Sequence, residues 1–230
     1  INTVYKVQME GLMRLKAMAK INLGLDVLGK REDGYHEVRM IMQTIRMYDI
    51  LDIRKTRRPG IVLTTNLPFI PTDQRNLVYK AAQMLMEEFD VEEGLSIKLR
   101  KFIPVAAGMA GGSSDAAAAF VGVNRMFHLG LTEEQLMERA VKVGADVPYC
   151  IMRGTALAEG IGEKLTRLPE VPKCYVLIGK PGINVSTKTA YENLNLEGIG
   201  KHPDIDGLIG AIRNNDLYAM ASRMENVFEP

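Results

Sequence analysis

The residues best placed to do chemistry form a run of small ones. Pro104-Val105-Ala106-Ala107-Gly108-Met109-Ala110-Gly111-Gly112-Ser113-Ser114 leads out of a strand-like segment and into an alanine-rich stretch, Ala116 to Ala119. Small side chains let backbone N–H groups come close to an anion, and a helix N-terminus behind them adds partial positive charge. The run lacks the lysine of a Walker A loop and the G-x-G-x-x-G of a dinucleotide fold. Protein-kinase H-R-D and D-F-G signatures are absent too. A plain reading is a tight strand-to-helix connection. The length of the run, its two terminal hydroxyls and the narrow alanine turns that follow favour a phosphate site.

Three other constellations stand out. Lys20 and Asn22 are two apart in an apolar stretch, so a strand turns both to one side, toward solvent or into a cleft. Asp33-Gly34-Tyr35-His36 offers a stacking ring and an imidazole at a turn, or simply an exposed turn with a packed tyrosine. Asp146 lies between small and apolar residues in Gly144-Ala145-Asp146-Val147-Pro148. It reads either as a helix N-cap or as a semi-buried carboxylate able to orient or deprotonate a hydroxyl.

The elements that must position these groups are mixed. Strands are expected at Met13–Ala19, Asn22–Leu28, Val38–Arg46, Ile50–Lys55, Leu95–Phe102, Thr155–Glu159 and Cys174–Ile178. Leu77, Ala81, Leu85 and Phe89 recur every four residues, a helical stripe. The loop is expected to open a helix from about Ser113 to Phe127. Thr132-Glu133-Glu134-Gln135 is a capping box, with Gly144 as the stop. Ser186, Asp204 and Asn215 are expected to open the last three helices. Without steady β-α-β alternation, the class is α+β rather than a doubly wound sheet. Residues 1–12 read as an N-terminal extension, 13–155 as a first domain carrying the candidate phosphate loop and 156–230 as a second domain.

Bulk properties exclude other classes. The chain has 230 residues and a net charge of +1, with both signs interspersed. No basic block points to nucleic acid, and no apolar run is long enough to span a bilayer. Cys150 and Cys174 are expected to be reduced core residues, and the three histidines lack metal-ligand spacing. Together these predict a cytoplasmic protein.

Taken together, Ala19–Leu23, Arg31–Glu37, Asp73–Leu77, Pro104–Ala117, Gly144–Pro148 and Pro181–Tyr191 resemble motifs of the galactokinase, homoserine kinase, mevalonate kinase and phosphomevalonate kinase superfamily. Within it they are most similar to the branch that phosphorylates a cytidine diphosphate-linked methylerythritol. The resemblance runs from about Arg14 to the last residue. It implies a two-lobed fold of mixed sheets and packed helices, ATP and Mg²⁺ as cofactors, a small-molecule substrate, and a monomer or weak homodimer.

It also implies roles. Asp146 matches the catalytic base and Lys20 its cationic partner. Asn22 matches a substrate contact, and Tyr35 and His36 the cytidine segment. Tyr191 falls where a second ring would complete a sandwich around cytosine. Asn76 matches a nucleotide contact near adenine. Pro104 and Ala106 to Ser114 match the triphosphate loop, with Ser113 or Ser114 near Mg²⁺. Ala106, Ala107 and Ala110 stand where some relatives carry glycine, which alanine can replace only at negative φ. The superfamily's third motif, of the character Gly-Ser-Gly-Pro-Thr, is missing from these 230 residues, so an incomplete second lobe is expected. Two other readings stay open: a superfamily kinase with a different alcohol substrate, and a nucleotide-binding protein without catalysis.

Overall fold

Apolar alternation carries the first two strands much further than their polar interruptions suggest. In the computed structural model, which describes residues 11–182 and 187–229, β1 runs unbroken over Leu12–Lys30 and β2 over His36–Thr56. Each merges two expected strands. Between them Arg31 N–H donates to the Tyr35 carbonyl at 2.8 Å, closing a turn that Gly34 completes at φ +84°.

Then follow β3 (Ile61–Thr65), α1 (Leu77–Glu88), β4 (Gly94–Arg100), α2 (Gly111–Met126), α3 (Glu133–Ala140) and α4 (Val147–Met152). β5 (Thr155–Gly160), β6 (Lys164–Arg167), α5 (Thr187–Glu192), α6 (Ile205–Arg213), α7 (Leu217–Ala221) and β7 (Glu225–Asn226) complete the described chain. The α+β class holds. β3, β6 and β7 are short strands that periodicity did not reveal, because each needs a neighbouring edge rather than its own pattern.

The chain divides into two compact units. Unit 1 comprises the described residues up to Ala19, Ile45–Val105 and Met109–Met152. Unit 2 comprises Lys20–Thr44, Ala106–Gly108 and the described residues from Arg153 onward. Neither unit is one continuous segment, since β1 and β2 each contribute to both.

In unit 1, β4 pairs antiparallel with β2 (Ile50↔Arg100 through Thr56↔Gly94) and parallel with β3 (Ile61↔Leu95). Leu51, Ile53, Leu95, Ile97 and Leu99 are buried, as are Val78, Ala81 and Leu85 of α1. Helix α2 approaches closely because its buried face is small: Ala116 to Ala119 are all buried. A Cβ on Gly122 would stand 2.4 Å from Ile53 Cδ1 and 2.7 Å from Leu15 Cδ1. Thr132 caps α3 in the expected box with Gln135.

In unit 2, β5 pairs antiparallel with β2 (Val38↔Gly160) and with β6, and β7 pairs in parallel with β1 (Gly24↔Glu225). Leu23, Ile41, Ile205, Leu208, Ile212 and Met220 form its core. Asp204 caps α6 as expected, while α7 is capped by Asp216 rather than Asn215.

Two expectations need correction. Cys174–Ile178 forms no strand: Tyr175 and Leu177 are fully exposed, and the segment joins no described strand. Cys174 is accordingly exposed, and only Cys150 is a core cysteine; both are free thiols. Much of the N-terminal extension, and Ser186, lie outside the described residues.

Candidate active site

Construction of the small-residue loop begins with its backbone. Ala106, Gly108 and Ala110 have φ of +54°, +68° and +53°, while Ala107 and Met109 between them do not enter that region. Alternation of this kind turns successive N–H groups to one side, the arrangement of an anion-binding nest. It overturns the expectation of negative φ at Ala106 and Ala110. Each of these alanines holds a left-handed conformation that costs a residue with a Cβ about 1–2 kcal/mol. Met109 is buried and anchors the loop from beneath.

Ala110 is the N-cap of α2 and supplies no side-chain cap. The first-turn N–H groups of Gly111, Gly112 and Ser113 therefore face outward with no capping oxygen, the condition under which a helix start receives an anion. The two hydroxyls differ. Ser114 is buried and its Oγ–H donates to the Met18 carbonyl. Ser113 is half-buried and carries no such bond.

Beneath this turn lies a cluster that the sequence reading missed. Lys101, Asp49 and Asp115 are all buried. Lys101 Nζ donates to Asp49 Oδ2 and, at 2.7 Å, to Asp115 Oδ2. Asp49 Oδ1 also accepts from the N–H groups of Phe102 and Ile103. Asp115 Oδ1 has no partner among the described residues. Lys101 can balance only one negative charge here. Burial pushes the Asp115 carboxyl well above the usual carboxylate range; Lys101 opposes the shift and Asp49 adds to it. A Cβ on Gly111 would lie 3.1 Å from Lys101 Nζ, so the lysine reaches the underside of the first turn of α2. An aspartate inside an alanine helix was the sequence signal for this cluster.

Asp146 is half-buried and immediately precedes α4, and its carbonyl accepts from Cys150 N–H at 3.1 Å. Every residue of α4 is buried, which gives the carboxylate a rigid mount. Asn76 is the N-cap of α1. Its Oδ1 accepts from Val78 N–H at 2.9 Å and its Nδ2 donates to the Pro71 carbonyl at 2.7 Å. Its amide is thus committed to shaping the helix start.

In unit 2, Lys20 is 5% exposed, and its Nζ donates to Asn22 Oδ1 at 3.0 Å. The solvent-facing reading of this pair is excluded. Tyr35 stands exposed at the hairpin turn, its N–H donating to Asp33 Oδ1. The rings found against Tyr191 are His36, at 5.1 Å and tilted 36°, and Phe228, edge-on at 4.9 Å and 80°. Phe228 was not anticipated, because nothing in its local pattern links it to Tyr191. No group of three or more metal-ligating side chains occurs among the described residues, and none of their helices is long and apolar enough to cross a membrane.

Comparison with known proteins gives the family and the fold. Residues 76–154 match the model of the GHMP kinases N terminal domain. The chain is 56% identical over 217 residues to the 4-diphosphocytidyl-2-C-methyl-D-erythritol kinase of Lachnospira eligens, covering 94% of this chain and 75% of the relative. It is likewise 56% identical over 218 residues to that of Lachnoclostridium phytofermentans, covering 95% and 75%. Among solved structures, a 4-(cytidine 5'-diphospho)-2C-methyl-D-erythritol kinase superposes with a TM-score of 0.76 at 29% identity, covering 94% of this chain and 76% of that one. A homoserine kinase from Cytophaga hutchinsonii shares the fold, with a TM-score of 0.70 at 18% identity. The chain therefore belongs to the 4-diphosphocytidyl-2-C-methyl-D-erythritol kinase family, within the GHMP kinases.

Proposed function

We propose that this chain transfers the γ-phosphoryl group of ATP to the 2-hydroxyl of 4-diphosphocytidyl-2-C-methyl-D-erythritol. The observation that carries the reading is the loop: three left-handed residues in alternation, leading into a helix start with no side-chain cap. Phosphoryl transfer asks mainly for alignment and charge neutralisation, because its transition state is loose and its charge is spread over oxygens. Residues Gly108 to Ser113 supply main-chain donors for the phosphates. Ser113 would offer a hydroxyl to a Mg²⁺ carried in on the nucleotide, and the ion would supply charge neutralisation there. A phosphate-borne Mg²⁺ needs few protein ligands, which fits a site with one available hydroxyl.

Asp146 serves as the base that orients the acceptor hydroxyl and takes its proton, and Lys20 as the cation that stabilises the developing alkoxide. Asn22 holds Lys20 and contacts substrate. Tyr35, His36 and Tyr191 receive the cytidine. Asn76 supports the nucleotide side indirectly, through the start of α1, since its amide is already engaged.

The test is an ADP-release assay offering 4-diphosphocytidyl-2-C-methyl-D-erythritol, mevalonate or homoserine as acceptor. Turnover with the cytidine substrate alone is expected. Turnover with either other alcohol, or nucleotide binding without turnover on any of them, overturns the reading.

A further inference from the structure

Residues 225–228 fold back onto unit 2 as a short strap. β7 pairs with β1 at Gly24 and Leu25, and Val227 N–H donates to the Leu25 carbonyl at 2.9 Å. Phe228 N–H then donates to Asn226 Oδ1 at 3.1 Å, turning the chain. Gly24 also makes room for α6, since a Cβ there would stand 2.9 Å from Ile205 Cδ1 and 3.0 Å from Leu208 Cδ2, while the Glu225 carbonyl oxygen of the strap lies at an ordinary contact distance of 3.8 Å. Its last ring, half-buried Phe228, meets Tyr191 edge-on. Tyr191 rides on α5, a helix of six residues. Such a helix holds little orientation of its own, so ring contacts from outside it, His36 and Phe228, set where the tyrosine points.

We infer that Phe228 is a positioning residue for pyrimidine recognition: it fixes the Tyr191 ring that stacks on the base, and the strap ties that ring to the β1 strand bearing Lys20 and Asn22. The inference rests on the proposed reading of Tyr191 as a cytosine contact. An edge-to-face aromatic pair contributes enough beyond its buried area to change an affinity about 2- to 10-fold.

The test titrates CDP calorimetrically into the chain saturated with a non-hydrolysable ATP analogue, and titrates the analogue alone in parallel. Phe228→Leu is expected to weaken CDP about 2- to 10-fold and to leave the analogue within twofold. Phe228→Tyr, which keeps the ring edge, should restore CDP binding. Equal loss of both ligands would mark a merely structural residue and overturn the inference. If Tyr191→Ala weakens CDP while Phe228→Leu does not, the inference falls and the base reading of Tyr191 stands. If Tyr191→Ala binds CDP unchanged, that base reading fails, and the positioning role fails with it.

Discussion

Replacing Asp115 by asparagine should stabilise the protein, and increasingly so as pH rises. Lys101 faces two buried carboxyl groups and can balance one. The Asp115 carboxyl is therefore pushed well above its ordinary range, by burial first and by Asp49 as well, against the pull of Lys101. An acid whose pKa is raised by folding makes the native state keep a proton that the unfolded chain has released. Stability is then full below the unfolded value, about 4, and falls as pH rises toward the folded value, by up to about 1.4 kcal/mol per pH unit. Asp115→Asn is a fixed mimic of the protonated acid. Its amide oxygen still accepts from Lys101, and no charge need be desolvated. Urea unfolding of both proteins at pH 5, 6, 7 and 8 should give a difference that widens in favour of the variant. Asp49→Asn should behave in the opposite way. Asp49 accepts two main-chain N–H bonds besides that of Lys101, and breaking such a buried pair costs about 3–5 kcal/mol. A pH-independent difference for Asp115→Asn, or a variant that loses ground as pH rises, would refute the reasoning. Either result would mean that the Lys101 pairing outweighs the burial of Asp115.

Other expectations concern the loop and its neighbours. Ala110→Gly should raise unfolding free energy by about 0.5–1 kcal/mol, as relief of left-handed strain exceeds the added freedom of the unfolded chain; a loss of stability in urea would deny that strain. Ser114→Ala should cost about 0.5–1.5 kcal/mol because it removes the part-buried hydrogen bond to the Met18 carbonyl, while Ser113→Ala should leave stability alone and lower turnover. The reverse assignment, read from melting and ADP release together, would exchange their roles. Asp146→Ala should abolish turnover with ATP affinity nearly intact, and unchanged turnover would remove it from the chemistry. Tyr35→Ala should raise KM more than it lowers kcat, because stacking is largely uniform binding; the opposite split in steady-state kinetics would contradict a stacking role.

Local chemistry made much of the molecule legible in its sequence. The amphipathic stripe of α1, the capping box of α3, the Asp204 cap of α6 and the opening of α2 from a small-residue loop all rest on contacts within a few residues, and each forms as expected. The ordered set of motifs carried the family for the same reason, since each is a local pattern of residue types. Contacts between residues distant in sequence were not legible. The Lys101–Asp49–Asp115 cluster spans three segments, and Phe228 reaches Tyr191 from 37 positions away (228 − 191). Strand length depended on neighbours as well: β1 and β2 run through the breaks that polar residues suggest, while Cys174–Ile178, with strand-forming residues but no pairing partner, stays irregular. Backbone sign at Ala106 and Ala110 was invisible too, because a left-handed alanine is disfavoured locally and persists only where surrounding structure imposes it. The sequence by itself determined helices α1, α2, α3 and α6 and the caps of α3 and α6, because those depend on near neighbours. Only the tertiary structure decided which hydroxyl is engaged, which rings meet Tyr191 and which carboxyl is buried beside a second one with a single lysine between them, because each depends on what distant segments bring into contact.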